Sequence, residues 1–376
     1  MKFNNLIKQK NMKKIIFLLA FVLFLSTQSF SQGDPGKGKF SGSMFGDLFY
    51  NAVRDTGILS LPNLINGGKA DVNGVRLRRI YFTYDYDISE SFTTRFRLEA
   101  DQISNTSDGK IGVFVKDAYL SWKNIFPGSD LVFGIQPPPA FEVSESIWGN
   151  RFLEKTIMDL RSVVSSRDLG ISLKGKIDKN GLFKYWVMFG DGSGNRPEVD
   201  KYKRYYAHIQ VNPIKNFTMT LYADFRSRPD INDPNSVTNP KATLSNNNLT
   251  YAFFAGYKEN NKYSFGVETF LNQTQNGIIN ETNIKDRNAF GISSYATYNF
   301  MDNFYVLGRY DYLDPNMDSD SKGDSRNFFI FSLNYKPHEK VTISPNVFIE
   351  TYESLPDGRE IKPSVTPQLT FFYVFL

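Results

Sequence analysis

Ile80-Tyr81-Phe82-Thr83-Tyr84-Asp85-Tyr86-Asp87-Ile88, then Ser89-Glu90, then Phe92-Thr93-Thr94-Arg95-Phe96-Arg97-Leu98-Glu99-Ala100-Asp101, changes character almost residue by residue. Ile80, Phe82, Tyr84, Tyr86 and Ile88 oppose Arg79, Tyr81, Thr83, Asp85 and Asp87. Phe92, Phe96, Leu98 and Ala100 oppose Thr93, Arg95, Arg97, Glu99 and Asp101. Successive side chains of a strand point to opposite faces, so both segments read as strands with one greasy and one charged face. The short link at Ser89-Glu90 makes them a hairpin.

The pattern continues outward in both directions. Phe217, Met219, Leu221, Ala223 and Phe225 oppose Thr218, Thr220, Tyr222, Asp224 and Arg226. Tyr305, Leu307, Arg309, Asp311 and Leu313 oppose Phe304, Val306, Gly308, Tyr310 and Tyr312, less cleanly, because Arg309 and Asp311 share a face with Leu307. About sixteen strands are predicted, centred near residues 46, 81, 97, 118, 133, 172, 186, 207, 222, 253, 267, 293, 308, 331, 346 and 369. Short turns at Ser89-Glu90, Lys179-Asn180, Asn260-Asn261, Met301-Asp302 and His338-Glu339 alternate with long polar connections. The long ones include Thr56–Asn73, Pro229–Asn247, Pro315–Asp324 and Ser354–Glu360. Short turns at one end and long loops at the other are the organisation of a transmembrane antiparallel β-barrel. Leu369, Phe371, Tyr373 and Phe375 form an apolar face on the final strand, as expected if that strand closes the barrel.

One long connection differs. Pro137-Pro138-Pro139 stops a strand, because proline cannot donate to the ladder. Between Ser144 and Val164, Ile147, Trp148, Phe152, Leu153, Ile157, Met158 and Leu160 follow a spacing nearer 3.6 than 2. This predicts a short helix with Ser144 or Ser146 as N-cap, inside a loop spanning 137–165.

Composition narrows the function. Residues 1–31 read as a secretory signal: Lys13-Lys14, the apolar run Ile15–Leu25, and Ser29 and Ser31 before a cleavage. The leader carries five lysines and no acid, so the 44 basic residues fall to 39, matching the 39 acidic ones. The remaining single barrel, 32–376, is neutral, which removes the case for a nucleic-acid partner. The chain has 34 Phe, 21 Tyr and no Cys, which suits a surface facing outer-membrane lipid and needs another source of stability than disulfides.

Only two histidines occur, His208 and His338, so metal, cysteine and Ser-His-Asp chemistry have almost no candidates. No enzyme and no cofactor is expected. Gly190–Asn195 leads into no helix and is no nucleotide loop. Asp314, Asp318, Asp320 and Asp324 read as an acidic outer loop rather than a calcium loop.

Several fragments resemble the phosphate-selective porin family of Gram-negative outer membranes. They are Arg78-Arg79, Arg95–Asp101, Val115–Leu120, Val132–Pro138, Phe152-Leu153-Glu154, Ser166–Ile171 and Phe189–Gly192. The resemblance implies a sixteen-stranded barrel, a homotrimer, and the loop at 137–165 folded into the lumen as a constriction. The expected function is passive diffusion of small hydrophilic or anionic solutes through the outer membrane. A phosphate- or polyphosphate-selective channel, or a non-conducting binding barrel, is the alternative. The candidate lining is Arg79, Arg95, Arg97, Glu99, Asp101, Asp117, Lys123 and Arg167, with Arg151, Glu154, Lys155, Asp159 and Arg161 on the loop. Guanidinium groups suit oxyanions because their fork donates two parallel hydrogen bonds. The same residues could equally be ion pairs that stiffen the wall.

Overall fold

Sixteen strands close on themselves. The computed structural model describes residues 36–55, 69–236, 239, 241–280 and 283–376. The leader, 1–31, lies outside the described residues, as does most of the Thr56–Asn73 connection. The first strands are β1 (Gly38–Tyr50), β2 (Asn73–Asp87), β3 (Phe92–Asn105), β4 (Ile111–Phe126), β5 (Ser129–Gln136), β6 (Asp168–Lys176), β7 (Phe183–Gly190), β8 (Arg204–Ile214) and β9 (Phe217–Arg226). A two-stranded patch, β10 (Ile231–Asn232) and β11 (Thr243–Leu244), decorates the loop that follows. The wall resumes with β12 (Asn248–Glu259), β13 (Tyr263–Asn280), β14 (Asn283–Met301), β15 (Phe304–Asp314), β16 (Arg326–His338), β17 (Val341–Tyr352) and β18 (Ser364–Phe375). Each wall strand pairs antiparallel with the next, and β18 pairs with β1 from Gly42↔Phe375 to Phe49↔Gln368. All sixteen predicted strand centres fall within these strands, because a strand with one lipid-side face carries its period in its sequence.

The links β2–β3, β4–β5, β6–β7, β8–β9, β12–β13, β14–β15 and β16–β17 are short and share one end. The long connections share the other, as expected. The outer face is apolar: Val113, Phe133, Leu221 and Tyr251 are all exposed. Aromatic pairs ring the turn end, with Phe40–Tyr84 centroids 4.5 Å apart, Phe92–Trp122 5.4 Å and Phe304–Tyr335 4.6 Å. A second band lies toward the loops, with Phe189–Tyr205 at 5.4 Å and Tyr310–Phe329 at 5.1 Å. An apolar belt between two aromatic bands is how a barrel meets a bilayer. Among the described residues no helix is long and apolar enough to span one.

The 137–165 connection carries two helices, α1 (Glu142–Trp148) and α2 (Ile157–Leu160). The predicted serine cap is wrong. Phe141 is the N-cap and makes no side-chain cap bond. Ser144 lies inside the helix, and its hydroxyl contacts the Phe141 carbonyl (3.1 Å) and Glu268 Oε1 (2.9 Å). A buried carboxylate on the wall outcompetes the helix terminus for that hydroxyl.

The loop is held against the inward faces of strands around the barrel. Trp148, Phe152 and Leu153 form one apolar cluster with Phe45, Phe254, Tyr295, Leu307, Phe328, Ile330 and Phe348. Phe141, Ile157, Met158 and Val164 form another with Met188, Tyr206, Tyr222, Phe270 and Leu313. The rings of Phe152 and Phe372 stack at 5.3 Å.

Candidate functional site

Strict alternation would place Arg79 inside and Arg78 outside. The register differs: Phe45 faces Arg79, but Gly46 faces Leu77, so Arg78 is an extra residue in a β-bulge. A bulge lets two consecutive side chains share a face. Arg76, Arg78 and Arg79 therefore all reach interior acids. Arg76 and Arg78 each contact Asp47 at 2.8 Å, and Arg79 contacts Glu99 at 2.7 Å and Asp101 at 3.1 Å.

The same device recurs two strands later. Arg97 faces Asp117 while Leu98 faces Val115, which leaves Lys116 as the extra residue. Lys116 turns inward to Glu99 at 2.9 Å. Arg76, Arg78 and Lys116 were absent from the predicted lining. The only sequence signals for them were the doubled Arg78-Arg79 and the adjacent Lys116-Asp117.

The predicted residues fall as follows. Arg97 pairs with Asp117 (3.4 Å) and donates to Thr83 Oγ1 (2.8 Å). Arg167 also reaches Asp117 and lies 3.8 Å from Glu142. Arg95 pairs with Asp85 at 2.7 Å, and Lys123 lies 3.8 Å from Asp87, both pairs wetter and near the turn end. On the loop, Lys155 pairs with Asp159 (3.3 Å), and Arg161 with Glu350 of β17 (3.0 Å). Arg151 lies 3.7 Å from Glu145 and 3.9 Å from Asp159, while Glu154 Oε1 accepts from the Lys155 amide at 2.8 Å. The pairing runs across strands: Arg95 and Arg97 do not meet Glu99 and Asp101 on their own strand. Four residues along a strand span roughly 13 Å, whereas neighbouring strands are about 4.8 Å apart.

Several arginines also bind the loop itself. Arg78 donates to the carbonyls of Phe152 and Leu153. Arg309 forms a two-pronged contact with Asp311 (2.8 and 2.6 Å) and donates to the Lys155 carbonyl at 2.5 Å. Arg204 grips Asp224 at 2.8 and 2.9 Å and reaches the Val163 carbonyl at 3.4 Å. The non-helical stretches of the loop leave carbonyls without internal partners, and guanidinium groups from β2, β8 and β15 supply them.

Three of these pairs are lopsided. The Arg79 side chain is 13% exposed and Glu99 2%. Arg97 is 25% exposed against 1% for Asp117, and Lys155 26% against 6% for Asp159. In these three the carboxylate is recessed behind its cation, whereas Asp85, Asp87, Glu142 and Glu145 are more exposed than the cations they face. Burial opposes the charge on Asp159, but Lys155, Arg151 and Lys116 together hold its carboxyl below the usual range. Glu145 behaves oppositely: burial raises its pKa, against the pull of Arg151.

His208 faces inward on β8, while His338 ends β16 and accepts from the Lys340 amide of the following turn at 3.1 Å. Gly192 and Gly194 donate their amides to Asp168, so the glycine-rich stretch is a fold around that carboxylate. Asp318 and Asp320 lie 3.1 and 3.6 Å from Lys285.

No family model matches the chain, and no curated protein matches it in sequence. Solved structures do. The outer-membrane channel DcaP of Acinetobacter baumannii superposes with a TM-score of 0.66 at 11% identity, covering 92% of this chain and 99% of that one. The fold is that of the porins. The anion-selective porin from Comamonas acidovorans gives 0.64 at 12% identity, covering 90% and 100%. Pseudomonas putida OprB gives 0.60 at 10%, covering 90% and 94%. The likeness extends along nearly the whole porin barrel and speaks to architecture.

Proposed function

We propose that this chain is an outer-membrane porin that passes small hydrophilic solutes passively and prefers anions. The observation that carries the preference is the lopsided pairing. Where the acid is the recessed partner, as at Glu99, Asp117 and Asp159, the pair still presents its cation to a passing solute, and it is the accessible charge that sets ion preference. The leader suits export, the apolar belt suits lipid, and the loop at 137–165 narrows the path. The assembled form would be a homotrimer, checked by cross-linking in detergent.

The test is single-channel recording in a planar bilayer under a KCl gradient. The expected result is stepwise conductance with a reversal potential favouring chloride. A potassium preference removes the anion reading and keeps the porin. No conductance from a folded barrel overturns the channel and favours the binding barrel.

The phosphate-selective reading has one observation of its own. Arg204, Arg226, Asn248, Thr274 and Arg287 form a single inward row across five consecutive wall strands. Arg204 is committed to Asp224, but Arg226, Arg287 and the nearby Arg228 form no ion pair among the described residues. Arg204 and Arg226 stand directly opposite each other, an arrangement that costs stability unless an anion relieves it. Block of chloride current by phosphate, weakened in Arg226→Gln, would support selectivity for oxyanions.

Acidity should tune the preference. Glu145 has a raised pKa, so it is neutralised on acidification before Asp159, whose pKa is lowered. Losing that negative charge leaves Arg151 less compensated. As pH falls toward the ordinary glutamate range, chloride preference should rise. Glu145→Gln should start at the raised preference and respond less. An unchanged pH response in that variant refutes the assignment.

A further inference from the structure

At Lys116 the ladder is interrupted on both sides of β4. Lys116 is the extra residue opposite β3, and pairing with β5 begins only at Ala118. A bulge leaves main-chain groups without strand partners, so carbonyls here need donors from outside the ladder. Asn195 supplies them. Its side-chain amide donates to the Val115 carbonyl at 2.7 Å and to the Lys116 carbonyl at 3.0 Å. A primary amide has two N–H donors, one for each carbonyl. We infer that Asn195, on the loop between β7 and β8, is a positioning residue of the channel: it fixes the bulge that turns Lys116 inward and so helps set which ions pass.

Asn195 reaches β4 from three strands away, so its loop must fold back across β6 and β5. Asp168, at the start of β6, organises that path. Its fully buried carboxylate accepts the Gly192 amide (2.9 and 3.0 Å), the Gly194 amide (3.2 Å) and the Tyr206 hydroxyl (2.6 Å). Gly192 and Gly194 have φ of 78° and 70°, where a side chain is strained. A Cβ on Gly194 would also stand 2.8 Å from Ser165 Oγ. The turn is thus shaped by its own residues, and it delivers Asn195 to the bulge.

Lys116 carries the charge at stake. Its ammonium lies 2.9 Å from Glu99 Oε2 and donates to Ser166 Oγ at 2.9 Å, while Arg79 holds the other oxygen of Glu99 at 2.7 Å. With Lys116 in place, Glu99 faces two cations. Without Asn195 the two carbonyls lose their donors, the bulge is free to shift along the strand, and Lys116 no longer stays at Glu99. Glu99 then keeps Arg79 alone, and the lining turns more negative. The bulge at Arg78 is built differently. There the neighbouring Arg79 donates to the Arg78 carbonyl at 2.7 Å, and no loop is needed. The inference rests on the reading of this barrel as a channel and not on its preferring anions.

The test is the chloride-to-potassium permeability ratio, taken from single-channel reversal potentials of the full-length protein under a KCl gradient. Asn195→Leu keeps the size of the side chain and removes both donors. It is expected to lower the ratio about twofold, as would the loss of one charge roughly 8 Å from the ion path. Lys116→Gln should lower it in the same direction and by at least as much. In the Lys116→Gln background, Asn195→Leu should then add nothing, whereas a general loosening of the barrel would act in either background. Asn246→Leu removes another loop amide that bonds a carbonyl (Gln275, 3.0 Å) and should leave the ratio at the parent value. If Asn195→Leu gives no folded barrel, Gly194→Ala carries the test, because it displaces Asn195 without altering it and should lower the ratio likewise. An unchanged ratio in Asn195→Leu overturns the inference, as does an equal fall in the Lys116→Gln background or in Asn246→Leu. A parent protein without conductance would instead overturn the channel reading on which the inference rests.

Discussion

Replacing Arg78 with alanine is expected to loosen the 137–165 loop and raise single-channel conductance. Arg78 donates to two consecutive loop carbonyls, Phe152 and Leu153, while Asp47 holds the guanidinium from behind at 2.8 Å. Asp47 is fully buried and also takes Arg76 and the Thr370 hydroxyl, so the anchor is braced from β2 and β18. Hydrogen bonds to charged groups contribute about 1.5–3 kcal/mol each in favourable cases, so losing two weakens local loop closure by roughly 3–6 kcal/mol. That corresponds to about a 150- to 25,000-fold larger population of loop-displaced states. Trp148 and Phe152 stay in their apolar cluster, so the loop should fluctuate and not leave altogether. The expected record is a higher mean conductance with flickering, and faster proteolysis within 149–156. Arg95→Ala removes a wall arginine that does not touch the loop and should leave both unchanged. A quiet, parent-like channel from folded Arg78→Ala would show that apolar packing alone holds the loop.

That result bears on what could be read from the chain. The sixteen strands, the alternation of short and long links and the closure of β18 on β1 all follow from period two and turn chemistry. They are legible because every wall strand repeats one constraint: lipid outside, polar groups inside. The site was legible only in part, for one physical reason. Arg79, Glu99, Asp101 and Asp117 obey alternation and face inward, where period two puts them; Arg78 and Lys116 sit in bulges, where the count slips by one. A bulge has no fixed sequence signature, so two of the inward cations were hidden in plain alternation. Ser144 was misread for a related reason: its partner, Glu268, is far away in sequence and invisible to any local rule. Partners such as Arg161 with Glu350 are likewise set by the loop's path through the barrel and by nothing near them in the chain.

Asp311→Ala is expected to be the most damaging single change to stability, and its rescue is the sharper test. The Arg309 and Asp311 side chains are 1% and 0% exposed, joined by two hydrogen bonds within one strand. Arg309 further lies over the Trp148 ring at 5.0 Å and donates to the Lys155 carbonyl. Removing the acid leaves a buried guanidinium without its counter-charge, a loss of about 3–5 kcal/mol. Removing both charges avoids that penalty, since buried pairs replaced by apolar groups are often near neutral. Arg309→Met with Asp311→Leu should therefore recover most of the stability that Asp311→Ala loses, measured as the urea midpoint of the barrel in detergent. The double change still deletes the donor to Lys155 O, so conductance should remain noisy while stability returns. The two readouts thus separate the arginine's two jobs, neutralising a buried acid and holding a loop carbonyl. Equal stability of Asp311→Ala and the parent protein would mean that water reaches this pair and that the interior is open there.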